Sequence, residues 1–596
     1  MIYVKLNRSN FEYDIHSLVK AFFPSEDVLV TAAEKPAKEE VLFRMRVDYI
    51  GKEFPPLRKT DEVCGPQADP RDAAEADRTV SRNAGAPQNG CGAAAESGTP
   101  GGDRKILLVQ DDSSMKSVSG PAGEGSGVCP AQGKAVEGAA RAEERTGEVL
   151  EAEMKSAGEK EEDRVLFGIL DRNGDELRSA QIFTDFADRK TMKVRLKQAL
   201  YRLLSEYTGK TLPWGTLTGI RPTKIPMRLL EEGKDRAEIV SYMKENYFVS
   251  DRKIDLSIEV AEREREILKT IDYRNGYSLY IGIPFCPSTC LYCSFTSFPI
   301  SAWAGRADAY LDALEKEIRY TAERFRDREL DSIYIGGGTP TTLEPVQLDR
   351  LLGMIEEDFD LSHLREVTVE AGRPDSITEE KLKALREHGI SRISINPQTM
   401  KQETLDLIGR RHTVEQIRDA FYMARRAGFT DINMDLIVGL PEENIEDVRN
   451  TMEQIAQLGP DCLTVHSLAV KRAARLRMEK ENYQGLHMEN TWETIDLTAE
   501  YARRMRLAPY YLYRQKNMAG NFENVGYSRS GCEGIYNILI MEDKQTIMAV
   551  GAGATTKVVD GDHIERTGNV KDVANYLART DEMIARKEKL LREFGM

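Results

Sequence analysis

At 596 residues, 41% of them hydrophobic, the chain is too long for one ordinary core, and two or more domains are expected. A formal charge of −15 argues against general attraction to nucleic acid or to anionic membrane, and neither is expected as a partner. The opening MIYVKLNRSNFEYD lacks the features of a secretory signal, no eighteen apolar residues follow one another, and eight cysteines are too few for a disulfide scaffold, so a cytoplasmic location is expected.

Strand-like IYVKLN and VLFRMRVDYI come first. From about Pro56 to Glu162 the composition turns to Gly, Ala, Ser and Glu with few aromatic or branched apolar residues. Such a stretch cannot bury enough surface to order itself. It predicts a disordered low-complexity insertion over 56–162 and makes Cys64, Cys91 and Cys129 incidental. RVLFGILD and the helical VRLKQALYRLLSEYTG, ending at Gly209, then resume the interrupted unit. Residues 1–55 and 163–255 are therefore read as one N-terminal α+β accessory domain. It contains LPWGTLTGIRPTK, whose Arg221 and Lys224 could meet nucleic acid, substrate or the next unit. The amphipathic IDLSIEVAEREREILKTI leads onward.

Between Ser278 and Val470 six apolar runs alternate with five helical segments. The runs are SLYIGI, DSIYIGG, EVTVEAG, RISINPQ, DINMDLIVGLP and CLTVHSLA. Six βα units in series predict an α/β fold, a closed or partial parallel (β/α)6 barrel over 272–475. After about Arg475 the alternation stops, and 476–596 is read as a C-terminal extension.

In such a barrel the site forms where strands end. After the first run come Cys286, Cys290 and Cys293, and after the second GGGTPT. Glu370 and Arg373 follow the third, Asn396 and Gln398 the fourth, and Asp435 and His466 mark the last two. Three thiols in eight residues can hold three irons of a cubane and leave the fourth open. Electron-carrying clusters mostly use four cysteines, and structural zinc would need a fourth ligand such as Cys532 or a histidine. Cys462 reads as a small core residue. Cys532 either approaches the site or is a surface thiol.

The CxxxCxxC spacing is the signature of the radical S-adenosylmethionine (SAM) superfamily. The segment Tyr280-Ile-Gly-Ile-Pro-Phe-Cys286 resembles the oxygen-independent coproporphyrinogen III oxidase family, and the resemblance runs over about 278–475. It implies a 4Fe-4S cluster on Cys286, Cys290 and Cys293, with SAM, one or two molecules, chelating the open iron. Gly337, Gly338 and Thr339 resemble the family's glycine loop against the methionine part of SAM. Glu370, Gln398, Arg410, Asp435 and Ala469 match its remaining SAM contacts, and Tyr280 and Tyr292 its aromatic neighbours. The whole chain is most similar to the HemZ-type anaerobic coproporphyrinogen dehydrogenases, whose upstream domain carries a segment like 217–224.

That resemblance implies a redox enzyme of haem synthesis. A reduced cluster gives SAM one electron, and the resulting 5′-deoxyadenosyl radical removes hydrogen from a propionate β-carbon of coproporphyrinogen III. Loss of CO2 and one electron leaves a vinyl, and repetition gives protoporphyrinogen IX. A low-potential donor such as flavodoxin or ferredoxin is implied, while no catalytic acid or base is singled out. Arg373, Arg411, Lys471 and Arg472 are candidates for the porphyrinogen carboxylates. Phe295 stands where the best-known members have a further cysteine, and Gly282 where they often have histidine. Related haem chaperones also carry that Phe, so a haem-binding protein without dehydrogenase activity is the rival, and a methyltransferase a third reading. The chaperones' HNxxYW motif has no counterpart in 536–541, which contains no histidine.

Overall fold

Alternating apolar residues at the start of the chain build a five-stranded mixed sheet. Its strands are β1 (Ile2–Leu6), β2 (Val28–Thr31), β3 (Phe43–Ile50), β4 (Arg164–Leu170) and β5 (Glu176–Phe183), in the order β2-β1-β3-β4-β5. β1 is parallel to β2 and β3, and the rest is antiparallel. Helices Glu12–Phe22 and Arg189–Thr208 bury Ile15, Leu18, Leu196 and Leu200 in a core with Val4, Val47 and Phe167. The second helix starts on an Asp188 side chain that accepts from Thr191 N, and stops at Gly209, whose φ of 69° suits glycine.

The computed structural model describes residues 1–32 except 25, residues 43–50, and residues 163–596 except 172, 472, 484, 516, 517 and 519–521. The region read as an insertion, 56–162 with Cys64, Cys91 and Cys129, lies outside the described residues, as does Arg472.

From Trp214 onward most of the chain leaves the first core, with Phe248 still packed against it. Trp214, Leu229, Ile239, Ile254 and Ile258 join the core of the larger sheet instead. Periodicity reveals a helix's apolar face but not which sheet that face meets, so the sequence alone groups these residues with the upstream unit.

The larger sheet contains β6 (Gly276–Ile283), β9 (Glu329–Gly337), β10 (Glu366–Glu370), β11 (Arg392–Ser394), β12 (Asp431–Val438) and β13 (Cys462–Ser467). These six lie side by side in chain order, all parallel. Helices Ala307–Arg324, Pro345–Asp358, Glu379–Glu387, Val414–Arg426 and Ile445–Leu458 connect them. This is the expected (β/α)6 arrangement. A short separate pair, β7 (Phe285–Cys286) and β8 (Phe298–Pro299), brackets the cysteine loop.

The region after 475 adds to the same sheet on both flanks. β15 (Asn524–Ser528) pairs antiparallel with β13, and β14 (Ala508–Tyr513) with β15. β16 (Thr546–Val550) runs parallel to β6, followed by antiparallel β17 (Thr555–Asp560) and β18 (His563–Gly568). Antiparallel neighbours need no helical crossover, so the alternation that marks barrel units in the sequence ends while the sheet continues.

The sheet is a partial barrel, with β14 and β18 as its two edges. Upstream residues brace both. Helix Asp251–Leu268 packs Ala261 and Leu268 with Tyr510, Tyr511, Ile538 and Leu539. Arg263 of that helix donates to Ala508 O at 2.7 Å and pairs with Glu533. Buried Lys253 pairs with Glu523 at 2.5 Å, and Trp214 Nε1 donates to the same carboxylate at 2.8 Å. Losing one partner of such a buried pair costs about 3–5 kcal/mol. At the other edge Arg221 and Lys224 meet Asp543, which also pairs with Lys557 of β17 at 3.0 Å and Arg566 of β18 at 3.4 Å. The GIRPTK segment thus ties the upstream chain to the barrel. Among the described residues no helix is long and apolar enough to cross a membrane.

Candidate active site

The loop after β6 is clamped at both ends and in its middle. Phe298 N donates to Pro284 O at 2.8 Å, closing the loop's base beside the β7–β8 pair. Leu291 N donates to Ile408 O at 2.9 Å, Ser288 Oγ to Gly409 O at 2.9 Å, and Leu476 N to Leu291 O at 3.0 Å. Cys286, Cys290 and Cys293 are all free thiols and half-buried. Burial pushes the Cys286 thiol up to about 11 and raises Cys293, and the neighbouring thiols add to both shifts. The three thiols lie within electrostatic reach of one another, and metal binding there must displace their protons.

The glycine run after β9 lies against this loop. Gly338 N donates to Ile283 O and Thr339 N to Phe285 O, both at 2.7 Å, while Thr339 Oγ1 reaches Cys286 Sγ at 3.4 Å. A Cβ on Gly338 would stand 2.5 Å from Phe285 O, and Gly337 has a φ of 104°, so neither position accepts an ordinary side chain.

Arg373 corrects an expectation. It is 3% exposed, and its guanidinium donates to Ser288 O at 3.2 Å, to Ser288 Oγ at 3.1 Å and to Cys290 Sγ at 3.7 Å. Its other nitrogens bind Asp375 at 3.0 and 2.8 Å. Behind them His412 Nδ1 lies 3.5 Å from Asp375. Burial would raise Asp375, but His412 and Arg373 outweigh it and hold the carboxyl below its usual range. Arg373 is a brace for the cysteine loop, already committed to protein partners, and is not placed to bind substrate.

The other strand ends form one polar network. Glu370 accepts from Tyr334 OH and from Asn396 Nδ2 at 2.9 Å. Burial, with the charge of Asp435 added, lifts Glu370 to about 7. Asp435 N donates to Asn396 Oδ1 at 3.3 Å, and its carboxylate accepts from Asn433 Nδ2 at 2.8 Å and faces His466 Nε2 at 3.6 Å. Against its burial, His466 and the nearby side-chain donors keep Asp435 low. Gln398 sits in left-handed backbone at φ 69°, fixed by Gln398 N to Asp435 O at 2.9 Å and Ile437 N to Gln398 O at 3.0 Å. Its buried Oε1 has no partner. Arg410, 2% exposed, donates to Gly372 O and to Tyr292 OH at 3.3 Å, and its Nε is likewise unpartnered. Ala469 is half-buried and bridges Met518.

Tyr280 stacks 6.3 Å from Tyr334 and 6.4 Å from Tyr536, and the last two are 4.7 Å apart. Neither Tyr334 nor Tyr536 is among the site residues expected from the sequence, where Tyr536 only opens the stretch set against the chaperones' motif. Tyr334 shares the face of Gly336 on β9, so strand alternation could have found it. Tyr536 enters from helix Ile535–Glu542, far along the chain, and no local signal points to it. Arg411 is exposed, and Lys471 Nζ lies 5.8 Å over the Phe295 ring. Cys532 does not approach this mouth. Its carbonyl accepts from Arg392 at 2.9 Å and from Cys462 Sγ at 2.8 Å, at the residues that begin β11 and β13.

Among the described residues no three His, Cys, Asp or Glu side chains are placed to hold a single metal ion. Three thiols along one clamped loop fit a larger inorganic core in which each thiolate takes a different iron. The unpartnered acceptor on Gln398 and donor on Arg410 fit a ligand carrying both an ammonium and a carboxylate.

A model of the radical SAM superfamily matches residues 280–455. The oxygen-independent coproporphyrinogen-III oxidase-like protein HemZ of Bacillus subtilis is 41% identical over 411 residues, 68% of this chain and 82% of its own. The heme chaperone HemW of the same species is 32% identical over 313 residues, 52% of this chain and 76% of its own. The structure of coproporphyrinogen III oxidase HemN from Escherichia coli aligns at 25% identity and a TM-score of 0.42, covering 54% of this chain and 73% of that one. Sheet order and cysteine loop are those of a radical SAM protein, a superfamily that uses a 4Fe-4S cluster and SAM. Within it, this chain belongs to the oxygen-independent coproporphyrinogen-III oxidase-like family.

Proposed function

We propose that this chain oxidatively decarboxylates two propionates of coproporphyrinogen III to vinyls, giving protoporphyrinogen IX, as a cytoplasmic coproporphyrinogen dehydrogenase of haem synthesis. The observation that carries the reading is the clamped three-cysteine loop set beside the Gly336–Gly338 run and the Glu370 network. Cys286, Cys290 and Cys293 would hold the cluster, leaving one iron free for SAM. Cluster and SAM together supply a 5′-deoxyadenosyl radical, strong enough to take hydrogen from an unactivated carbon.

The side chains have separate tasks. Gly337 and Gly338 let backbone approach the methionine part of SAM. Arg410 pairs with its carboxylate, and Gln398 accepts from its ammonium. Glu370, with each oxygen held by one neighbour, accepts from ribose hydroxyls alongside Asp435. Tyr280, Tyr292 and Ala469 wall the same pocket. Each propionate of the substrate then gives up a β-hydrogen to the radical, CO2 as the leaving group, and one electron to a separate one-electron acceptor.

One observation favours dehydrogenase over chaperone. The stretch 536–541, read from the sequence as the counterpart of the chaperones' haem motif, lies in helix Ile535–Glu542, where Tyr536, Ile538 and Leu539 are buried and Tyr536 is stacked inside the barrel. These side chains are not available to a haem. Anaerobically reconstituted protein given SAM, a low-potential reductant and coproporphyrinogen III should form protoporphyrinogen, read as protoporphyrin IX fluorescence after oxidation. SAM cleavage with no vinyl product sinks the proposal. Stoichiometric haem binding without turnover would support the chaperone reading, and a methylated product a transferase.

A further inference from the structure

One basic surface beside the cluster loop is used by neither the SAM pocket nor the barrel core. Residues 471–480, KRAARLRMEK, hold five Lys or Arg and one Glu in a chain whose net charge is −15. The helical turn Arg475–Met478 is seated directly on the cysteine loop through Leu476 N to Leu291 O, and Leu476, Leu291, Ile408 and Leu468 share one small apolar cluster. Two large apolar side chains face outward here, Met478 at 65% exposure and Phe295, two residues after Cys293, at 69%. Lys471 lies over Phe295, and exposed Arg411 follows the Arg410 that bonds Tyr292. The acids at hand among the described residues are Glu479, 3.0 Å from Arg475, exposed Glu481, and Asp27, 3.9 Å from Arg477. Lys471, Arg411, Arg475 and Arg477 outnumber them.

We infer that this surface docks an acidic, low-potential one-electron carrier protein. Exposed apolar side chains with a charged surround are the composition of a transient protein interface, and opposite charge speeds the encounter. In a chain of net charge −15, a basic patch beside the cysteine loop favours the approach of an acidic carrier that ends at the cluster. A porphyrinogen, in contrast, calls for a concave pocket rather than an outward helical turn. In the step itself one electron passes from reduced carrier to oxidised cluster, and no bond forms or breaks. The inference rests on the cluster assignment but not on the identity of the substrate.

The rate test uses the full-length, cluster-loaded protein without any porphyrin, and a separate titration adds coproporphyrin. Cluster bleaching is followed by stopped flow with reduced flavodoxin as the acidic carrier, and with photoreduced deazaflavin as a small uncharged reductant. Arg475→Glu with Arg477→Glu should slow flavodoxin reduction about fivefold or more at low salt and flatten its salt dependence. The deazaflavin rate should stay as in the parent. Equal slowing with both reductants would show loop damage instead, and an unchanged flavodoxin rate, or a parent rate indifferent to salt, would overturn the docking site. If the same charge reversals weaken coproporphyrin binding while carrier reduction is untouched, the patch serves substrate and the inference fails. A parent protein with no bleachable cluster would sink the cysteine assignment first, and this inference with it.

Discussion

At the amino ends of the parallel strands, Arg392 of β11 donates to Asp431 of β12 at 2.5 Å, to Cys462 of β13 at 3.3 Å and to Cys532 O at 2.9 Å. Beside it Glu366 of β10 accepts from Thr368 Oγ1 at 2.6 Å and from the backbone of Ile535 and Tyr536. At the carboxyl ends, by contrast, Gln398 Oε1, Arg410 Nε and His412 Nε2 are buried without a partner among the described residues, and Gln398 is held at positive φ. The Arg392–Glu366 cluster satisfies its buried charges within the protein, while the carboxyl ends keep polar groups unpaired and backbone strained. Unpaired buried groups cost stability and are retained where a ligand completes them. That contrast separates the end that holds the fold from the end proposed to do the chemistry.

The sharpest way to break that division is at the cysteines. Cys286→Ala, Cys290→Ala or Cys293→Ala should each abolish cluster loading, measured as iron and acid-labile sulfide after anaerobic reconstitution. Denaturation of the cluster-free chain should shift by less than about 1 kcal/mol, because none of the three is deeply buried. Arg392→Ala should do the reverse. Leaving Asp431 and Glu366 without their cation should cost about 3–5 kcal/mol in chemical denaturation of the cluster-free chain. A loss below about 1 kcal/mol would show that the amino end is not the anchor.

A smaller effect tests Glu370. Its folded-state value of about 7 lies above its ordinary 4.5, so the folded chain binds its proton more tightly than the unfolded one. The stability this provides is complete below about pH 4.5 and is lost as pH rises through about 7. Only the ionised carboxylate offers all its lone pairs to ribose hydroxyls, so SAM affinity of the loaded protein should rise roughly tenfold between pH 6 and 8. Glu370→Gln should flatten that profile, and an unchanged profile would remove Glu370 from the ribose contact. The smallest effect is expected at Gln398. Gln398→Gly relieves the left-handed backbone, so the cluster-free chain should keep or gain up to about 1 kcal/mol of stability while SAM binds more weakly. A large loss of stability would mean that the strain has a structural purpose.

Much of the barrel was legible because each unit repeats a short apolar run followed by an amphipathic helix, as in DSIYIGG and LDRLLGMIEEDF. The site was legible where function needs a fixed local spacing, as in the cysteine loop and the glycine run. Arg373 misled because exposure is not written in a sequence, and a basic residue at a strand end reads the same whether it faces substrate or braces a loop. Tyr334 and His412 act through contacts with residues distant in the chain, Glu370 and Asp375, which no local pattern records.

By itself, the sequence determined the parallel core, the strand ends on which the polar residues fall, and the thiols that share one loop. These follow from periodicity and from spacing along a single stretch of backbone. Tertiary structure alone decided that 214–268 packs against the barrel, that strands after 508 extend the sheet on both flanks, and that Tyr536 fills its interior. Those outcomes depend on which apolar surfaces meet, a choice set by packing and pairing between segments far apart in the chain rather than by the residues of any one of them.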